Sequence, residues 1–361
     1  MKTKKIVSLL GIFYFLFIQG IAACTGIIIT TENGVTIPGR TMEFGFDVQS
    51  KVMVIPKGIP LTFLSSIDHK DGYKMITKYG FTGMNAVGKN VIADGVNEAG
   101  LYLGVFYFTN FAVYEKLTDD NQSKAVSSEE LGNYILGSFA NVEEVIEGLK
   151  NITVVGSYIE AIKGEAPLHY AVTDKSGRSV VIEYTKDGLH VFENTVHAVC
   201  NNPTYDWHLT NLRNYVNLAP DNTTGFELNG KKYTPMAEGS GMIGLPGDYT
   251  STSRFIRATA AVNTSLPSKD AEEGIFRAFH ILNAFDIPKG LVRQKEETGV
   301  FTDYTIWTSA VDTENLAYYY KTYKNQAIKK IDLKQMLKEA NGKITVIPSE
   351  TPRSYEMVST K

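Results

Sequence analysis

The chain has 361 residues, of which 43% are hydrophobic and 21% charged, an ordinary globular composition long enough for one large domain or two modest ones. A formal charge of −3, with a pI near 6.1, gives no electrostatic reason to expect nucleic acid or an anionic membrane as a partner. The six histidines show neither an HExxH motif nor clustered ligand spacing, so no metal and no other cofactor is expected.

Lys2, Lys4 and Lys5 precede an apolar run from Ile6 to Ile18, broken only by Ser8 and Gly11. That pattern is a signal-peptide core, too short for a comfortable membrane span. Ala22 and Ala23 supply small residues for cleavage before Cys24, although Ile21 departs from the A-x-A pattern. Residues 1–23 are therefore expected to be a signal peptide and 24–361 a single exported domain, periplasmic or secreted. The segment Ile21-Ala22-Ala23-Cys24 also fits a lipoprotein signal, in which the cysteine is lipidated and its amine acylated. A lipoprotein cysteine is usually followed by a polar tether, whereas residues 25–31 read at once as a β-strand.

A hairpin follows, with Asn33-Gly34 as its turn and residues 35–42 running back. With those two residues central, Ile27 faces Arg40 and Cys24 faces Glu43. The same count puts Arg40 on the face opposite Cys24, unless a bulge at Pro38 shifts the register. Strands are predicted over 51–56, 79–87, 90–93 and 101–108, with a turn over Asp94–Gly100. Apolar residues at helical spacing predict helices over 129–139 and 142–149, with Asn141 as a cap between them. Residues 168–173 and 179–184 form a second hairpin, and 189–191 and 196–199 continue the sheet. Helices are predicted over 205–216, from 253 to 262, and over 272–283. Residues 217–235 form a long excursion and 239–248 a glycine-rich loop. Late strands cover 302–310 and 316–323, with a polar tail after about Pro348. Runs of strands between groups of helices predict one layered α+β domain.

Only two cysteines occur, Cys24 and Cys200, and in an exported protein the plain reading of two cysteines is a disulfide. The chemistry of Cys24 offers another. If the leader is cut before it, one residue carries a thiol and a free α-amine, whose ordinary pKa of about 7.7–8.0 suits it to accept the thiol proton. No G-x-S-x-G elbow, S-x-x-K motif or P-loop supplies a rival nucleophile.

Several separated segments then share one pattern. Cys24-Thr25-Gly26, Gly39-Arg40-Thr41-Met42-Glu43, Asp94 to Leu101, Asn201 to His208 and Gly244 to Tyr249, with Ser253-Arg254-Phe255 and Asp303-Tyr304-Thr305, resemble the choloylglycine hydrolase family. This family includes bile salt hydrolases and penicillin V acylases, and the resemblance spans 24 to about 335. It implies a four-layer αββα sandwich of the N-terminal nucleophile hydrolase type, commonly a homotetramer. It also implies Cys24 as nucleophile with Arg40 and Arg254 beside the thiol. The Asn201 side-chain amide and the backbone N–H of Tyr107 would then meet the oxyanion. Glu43 stands where the family usually places an aspartate that holds the cysteine amine.

Each residue taken alone has a plainer account. Arg40 and Arg254 would be surface ion pairs, Asn201 would close a turn, Tyr107 would be core and Glu43 a solvated edge charge. Cys200 is expected to be a buried thiol, and Trp207 and His208 to pack a helix. The expected partner is a small-molecule amide. Bile salts lead, with penicillin V and acyl-homoserine lactones close behind, because Tyr107 stands where bile salt hydrolases often carry asparagine. A lipidated, non-catalytic binding protein is the reading from another class.

Overall fold

The computed structural model describes residues 23–64, 71–160, 164–296, 299–353 and 355–359. Apart from Ala23, the expected leader lies outside the described residues. Two large antiparallel sheets carry the fold. The first contains Cys24–Thr30 (β1) and Thr36–Phe44 (β2), and the second contains Ile92–Asn97 (β3) and Tyr102–Tyr107 (β4). The long strand Gly299–Asp312 (β5) lies beside β2 in the first sheet. In that sheet the order runs from Ala198–Val199 through β1, β2 and β5 to Ala317–Thr322 and Lys329–Asp332. The second sheet runs from Gly188–Glu193 through Ser179–Thr185 and Leu168–Thr173 to β4 and β3. It ends with Phe81–Asn85, Lys51–Ile55 and Thr345–Pro348.

Helices Leu131–Ser138 (α1) and Val142–Leu149 (α2) cover the outer face of the second sheet, where Ile135 and Val145 join a core with Leu103 and Tyr170. Tyr205–Leu212 (α3), Ser251–Thr264 (α4) and Ala271–Asn283 (α5) lie on the first sheet, with Phe255 and Phe279 in its core. The layers are therefore αββα, as the resemblance implied. β1 and β2 are covered on both faces, and every residue of the pair but Thr30, at the end of β1, is buried. Such strands read as apolar runs rather than as a clean alternation.

Local signals explain most boundaries. Asn141 caps α2, its Oδ1 accepting the Glu144 N–H at 2.9 Å, and Asp270 caps α5 in the same way at 3.1 Å. The turn expected over Asp94–Gly100 is shorter, because Asp94 to Asn97 continue β3 and pair with Phe81–Asn85. A further helix, Leu333–Ala340 (α6), was not expected. Asp332 caps it by accepting the Gln335 N–H at 3.0 Å, and left-handed Asn341 ends it. The excursion after α3 holds a small exposed hairpin, Phe226–Leu228 with Lys231–Tyr233. No helix among the described residues is long and apolar enough to cross a membrane.

Candidate active site

The site begins with the β1–β2 hairpin, where the register differs from the sequence count. Thr30 pairs with Thr36, Gly26 with Arg40 and Cys24 with Met42; Glu43 instead donates its N–H to Ala23 O at 3.0 Å. The cause is the turn. Thr31 N–H donates to Val35 O at 3.0 Å, so three residues, not two, form the loop, and of these only Gly34 has a positive φ, at 85°. A three-residue loop with a left-handed glycine shifts the pairing by one residue relative to an Asn-Gly two-residue turn. Directly opposed residues share a face of a sheet. Arg40 therefore lies on the same face as Cys24, and Glu43 on the other, which reverses both expectations.

That shared face looks into the seam between the sheets. Arg40 is fully buried there, and its Nη2 donates to Cys24 Sγ at 2.9 Å. Its Nη1 donates to the carbonyls of Ala93, at 3.2 Å, and Val105 in the opposite sheet. The guanidinium lies 4.3 Å from the centroid of Phe106 and 5.4 Å from that of Trp307, a cation held between two π-faces. Gly26 makes room for this stack, since a Cβ there would stand 2.7 Å from the Phe106 ring. Asp94 on β3 faces the same region. It accepts the Tyr318 hydroxyl at 2.6 Å and the Ser309 hydroxyl, both from the first sheet. Burial works against the charge on Arg40, while Cys24 and Asp94 favour it.

On the other face, α4 delivers Arg254. Its Nη1 donates to the Cys24 carbonyl at 2.5 Å and to Thr25 Oγ1 at 2.8 Å, and its Nη2 donates to Asn201 Oδ1 at 2.8 Å. The backbone N–H of Cys24 donates to that same Asn201 oxygen at 2.7 Å. Asn201 Nδ2 donates in turn to the Tyr107 carbonyl at 2.9 Å. The segment that holds Asn201 is fixed by two rings. His169 Nε2 contacts Cys200 O at 2.8 Å and stacks on Phe108; His208 Nε2 contacts Asn201 O at 3.0 Å and stacks on Phe255. Burial holds the His208 ring down to about 4, which keeps it neutral. His208 packs as expected, while Trp207 beside it is exposed.

Glu43 is buried beneath the sheet, its Oε1 accepting the Thr305 hydroxyl at 2.9 Å and its Oε2 without a partner among the described residues. Burial pushes its carboxyl up to about 8, and burial likewise raises Asp303, on the same strand as Thr305, to about 7. Cys24 and Cys200 are both free and buried, so the disulfide is not formed, and burial raises Cys200 to about 11. The thiol of Cys24, still linked to Ala23, is also pushed up by burial, against the pull of Arg40.

A narrow cleft opens on Cys24. Met42 and Phe44 of β2 and Val48 just beyond it line the cleft with Val87, Tyr107 and Leu168. Tyr107 meets Phe44 edge-to-face at 5.3 Å. Together these elements bring Cys24, Arg40, Asn201, Arg254 and Tyr107 to one place, with Glu43 one layer below. Asp94 escaped the sequence reading because it was assigned to a turn; its place in the Asp94–Leu101 segment was the available signal.

An αββα sandwich with a cysteine opening its first central strand, clasped by two buried arginines and an asparagine, defines an N-terminal nucleophile hydrolase with a cysteine nucleophile. The chain belongs to the choloylglycine hydrolase family of linear amide C–N hydrolases, whose family model matches residues 24–346. It is 33% identical to the bile salt hydrolase/transferase of Clostridium perfringens, over 86% of this chain and 92% of that protein. A crystal structure of a variant of the conjugated bile acid hydrolase from Clostridium perfringens superposes with a TM-score of 0.81 at 31% identity, covering 93% of this chain and 100% of that one. The penicillin V acylase of Agrobacterium tumefaciens shares the fold, with a TM-score of 0.68 at 23% identity, covering 86% of this chain and 87% of that one.

Proposed function

We propose that the protein deconjugates glycine- and taurine-linked bile salts, with Cys24 as nucleophile and its own α-amine, freed by removal of residues 1–23, as base. The observation that carries this reading is an apolar cleft that ends on a thiol 2.9 Å from a buried guanidinium. The identity to bile salt hydrolases over most of both chains supports the same choice of substrate.

In this mechanism Cys24 Sγ attacks the amide carbon as its proton passes to the α-amine. Asn201 Nδ2 carries two hydrogens, and the one not engaged by Tyr107 O meets the oxyanion, together with the Tyr107 backbone N–H. Collapse expels glycine or taurine, which takes the proton from the ammonium. Water then attacks the acyl-thioester, returning a proton to the amine and the thiol to Cys24. Arg40 favours the thiolate, and Arg254 holds the Cys24 backbone and Asn201 in register. Glu43 acts from beneath the sheet, near Arg254, rather than by facing the thiol.

Export and assembly belong to the same proposal. The basic and apolar leader supports export to the periplasm or exterior. The exposed hairpin bearing Phe226, Leu228 and Tyr233 supplies apolar surface that a homotetramer would cover. Intact mass and N-terminal analysis of the mature protein test the base: a free Cys24 amine supports the mechanism, and a diacylglycerol on Cys24 sinks it.

A second reading, an aryloxyacetyl amide of the penicillin V kind, is favoured by Tyr107 and Phe44 at the cleft wall. Side-by-side kinetics on glycocholate, taurocholate and penicillin V decide between them, with Cys24→Ala as the inactive control. Higher kcat/KM on penicillin V than on either conjugate would reverse the order of the two readings.

A further inference from the structure

Among the described residues that line the cleft, Glu129 alone carries a carboxyl group. It lies just before α1 and is only 5% exposed. Its Oε2 accepts the hydroxyl of Ser157, and its Oε1 has no hydrogen-bond partner among the described residues. In its neighbour Glu130, by contrast, Oε2 accepts both the Leu64 N–H at 2.9 Å and the Ser127 hydroxyl at 2.7 Å. Lys89 acts on both carboxyls through space.

A buried carboxyl oxygen with no partner keeps the cost of its lost hydration. In a wall otherwise built from groups such as Val91, Ile159 and Leu168, no described residue relieves that cost. Burial also pushes the Glu129 carboxyl up, towards its neutral form, in which it both donates and accepts. A substrate hydroxyl is the complementary group, since it too donates and accepts.

We propose that Glu129 is a specificity-determining residue, its Oε1 exchanging a hydrogen bond with a hydroxyl on an otherwise apolar acyl group. The inference rests on the amide-hydrolase reading of this cleft and narrows it to acyl groups hydroxylated away from the scissile bond. A purely hydrocarbon acyl group fills the same cleft but leaves the Glu129 Oε1 without a partner.

The test is the ratio of kcat/KM between matched amides with and without the hydroxyl. Two pairs serve: glycocholate against the glycine conjugate of the unhydroxylated steroid acid, and 4-hydroxyphenoxyacetyl-glycine against phenoxyacetyl-glycine. In the mature wild type the hydroxylated member of the cleaved pair is favoured by about ten- to a hundredfold, mainly through KM. Glu129→Leu brings the ratio near one, and Glu129→Gln, which keeps a donor and an acceptor, retains most of it. A wild-type ratio near one, or a preference that survives in Glu129→Leu, overturns the inference. If Glu129→Leu does not fold, the wild-type ratio decides alone. If the steroid pair is not cleaved and the phenoxy pair is, the bile-salt reading falls and the phenoxy ratio still decides the role of Glu129. Cleavage of neither pair overturns both.

Discussion

Arg40 Nη2 stands 2.9 Å from Cys24 Sγ while the Nη1 of the same guanidinium is tied to two carbonyls of the opposite sheet. A fork held at both ends is a fixed charge, and lysine cannot reproduce it. Arg40→Lys is expected to fold, to shift the pH midpoint of Cys24 alkylation upward, and to lower kcat/KM by about ten- to a hundredfold. Arg40→Met should also lower stability, because it removes the cation that favours the charged form of the buried Asp94 carboxyl and leaves the Ala93 and Val105 carbonyls without their donor. An alkylation profile in Arg40→Lys that coincides with the wild type would show that Arg40 does not set the thiol.

Asn201 Oδ1 is shared by the Cys24 N–H and by Arg254, so one side chain aligns Cys24 and, in the proposed mechanism, also offers a donor to the developing charge. Asn201→Ala is expected to lower kcat by about 10²–10³ with little change in KM, as for other lost oxyanion donors. Steady-state kinetics check this, and a rise in KM at unchanged kcat would reassign Asn201 to substrate binding.

Burial pushes the Glu43 carboxyl up to about 8 in the folded chain, against an ordinary value of 4.5. Between those values the folded state binds more protons than the unfolded one, so stability falls as pH rises. The contribution is fully present below pH 4.5 and is lost by about pH 8. Glu43→Gln should therefore flatten the decline of Tm across this window, removing a slope of up to about 1.4 kcal/mol per pH unit. Parallel curves for wild type and variant would show that Glu43 is ionised in the fold.

The sequence foretold the layers, because β1, β2 and the capped helices are signalled by local chemistry such as Asn141 and Asp270. Cys24 stood out for the same reason, because a basic and apolar run ending in Ala22-Ala23 precedes it. What escaped was parity. Asn33-Gly34 is compatible with loops of two or three residues, and the choice decides on which face Arg40 lies. α6 escaped because only Leu333 and Ala340 are buried in an eight-residue helix rich in charge. Glu129 reads as a helix-start acid, and only the fold turns it towards the cleft.

Asp94, Ser309 and Tyr318 bind the two sheets across the same seam that holds Arg40. The charge beside Cys24 is therefore in place only once that seam has closed. A nascent chain whose sheets are still apart carries an ordinary, weakly reactive thiol. Final docking of the sandwich thus completes the grip of Arg40 on the sulfur, and a change that loosens the seam loosens that grip without touching Cys24.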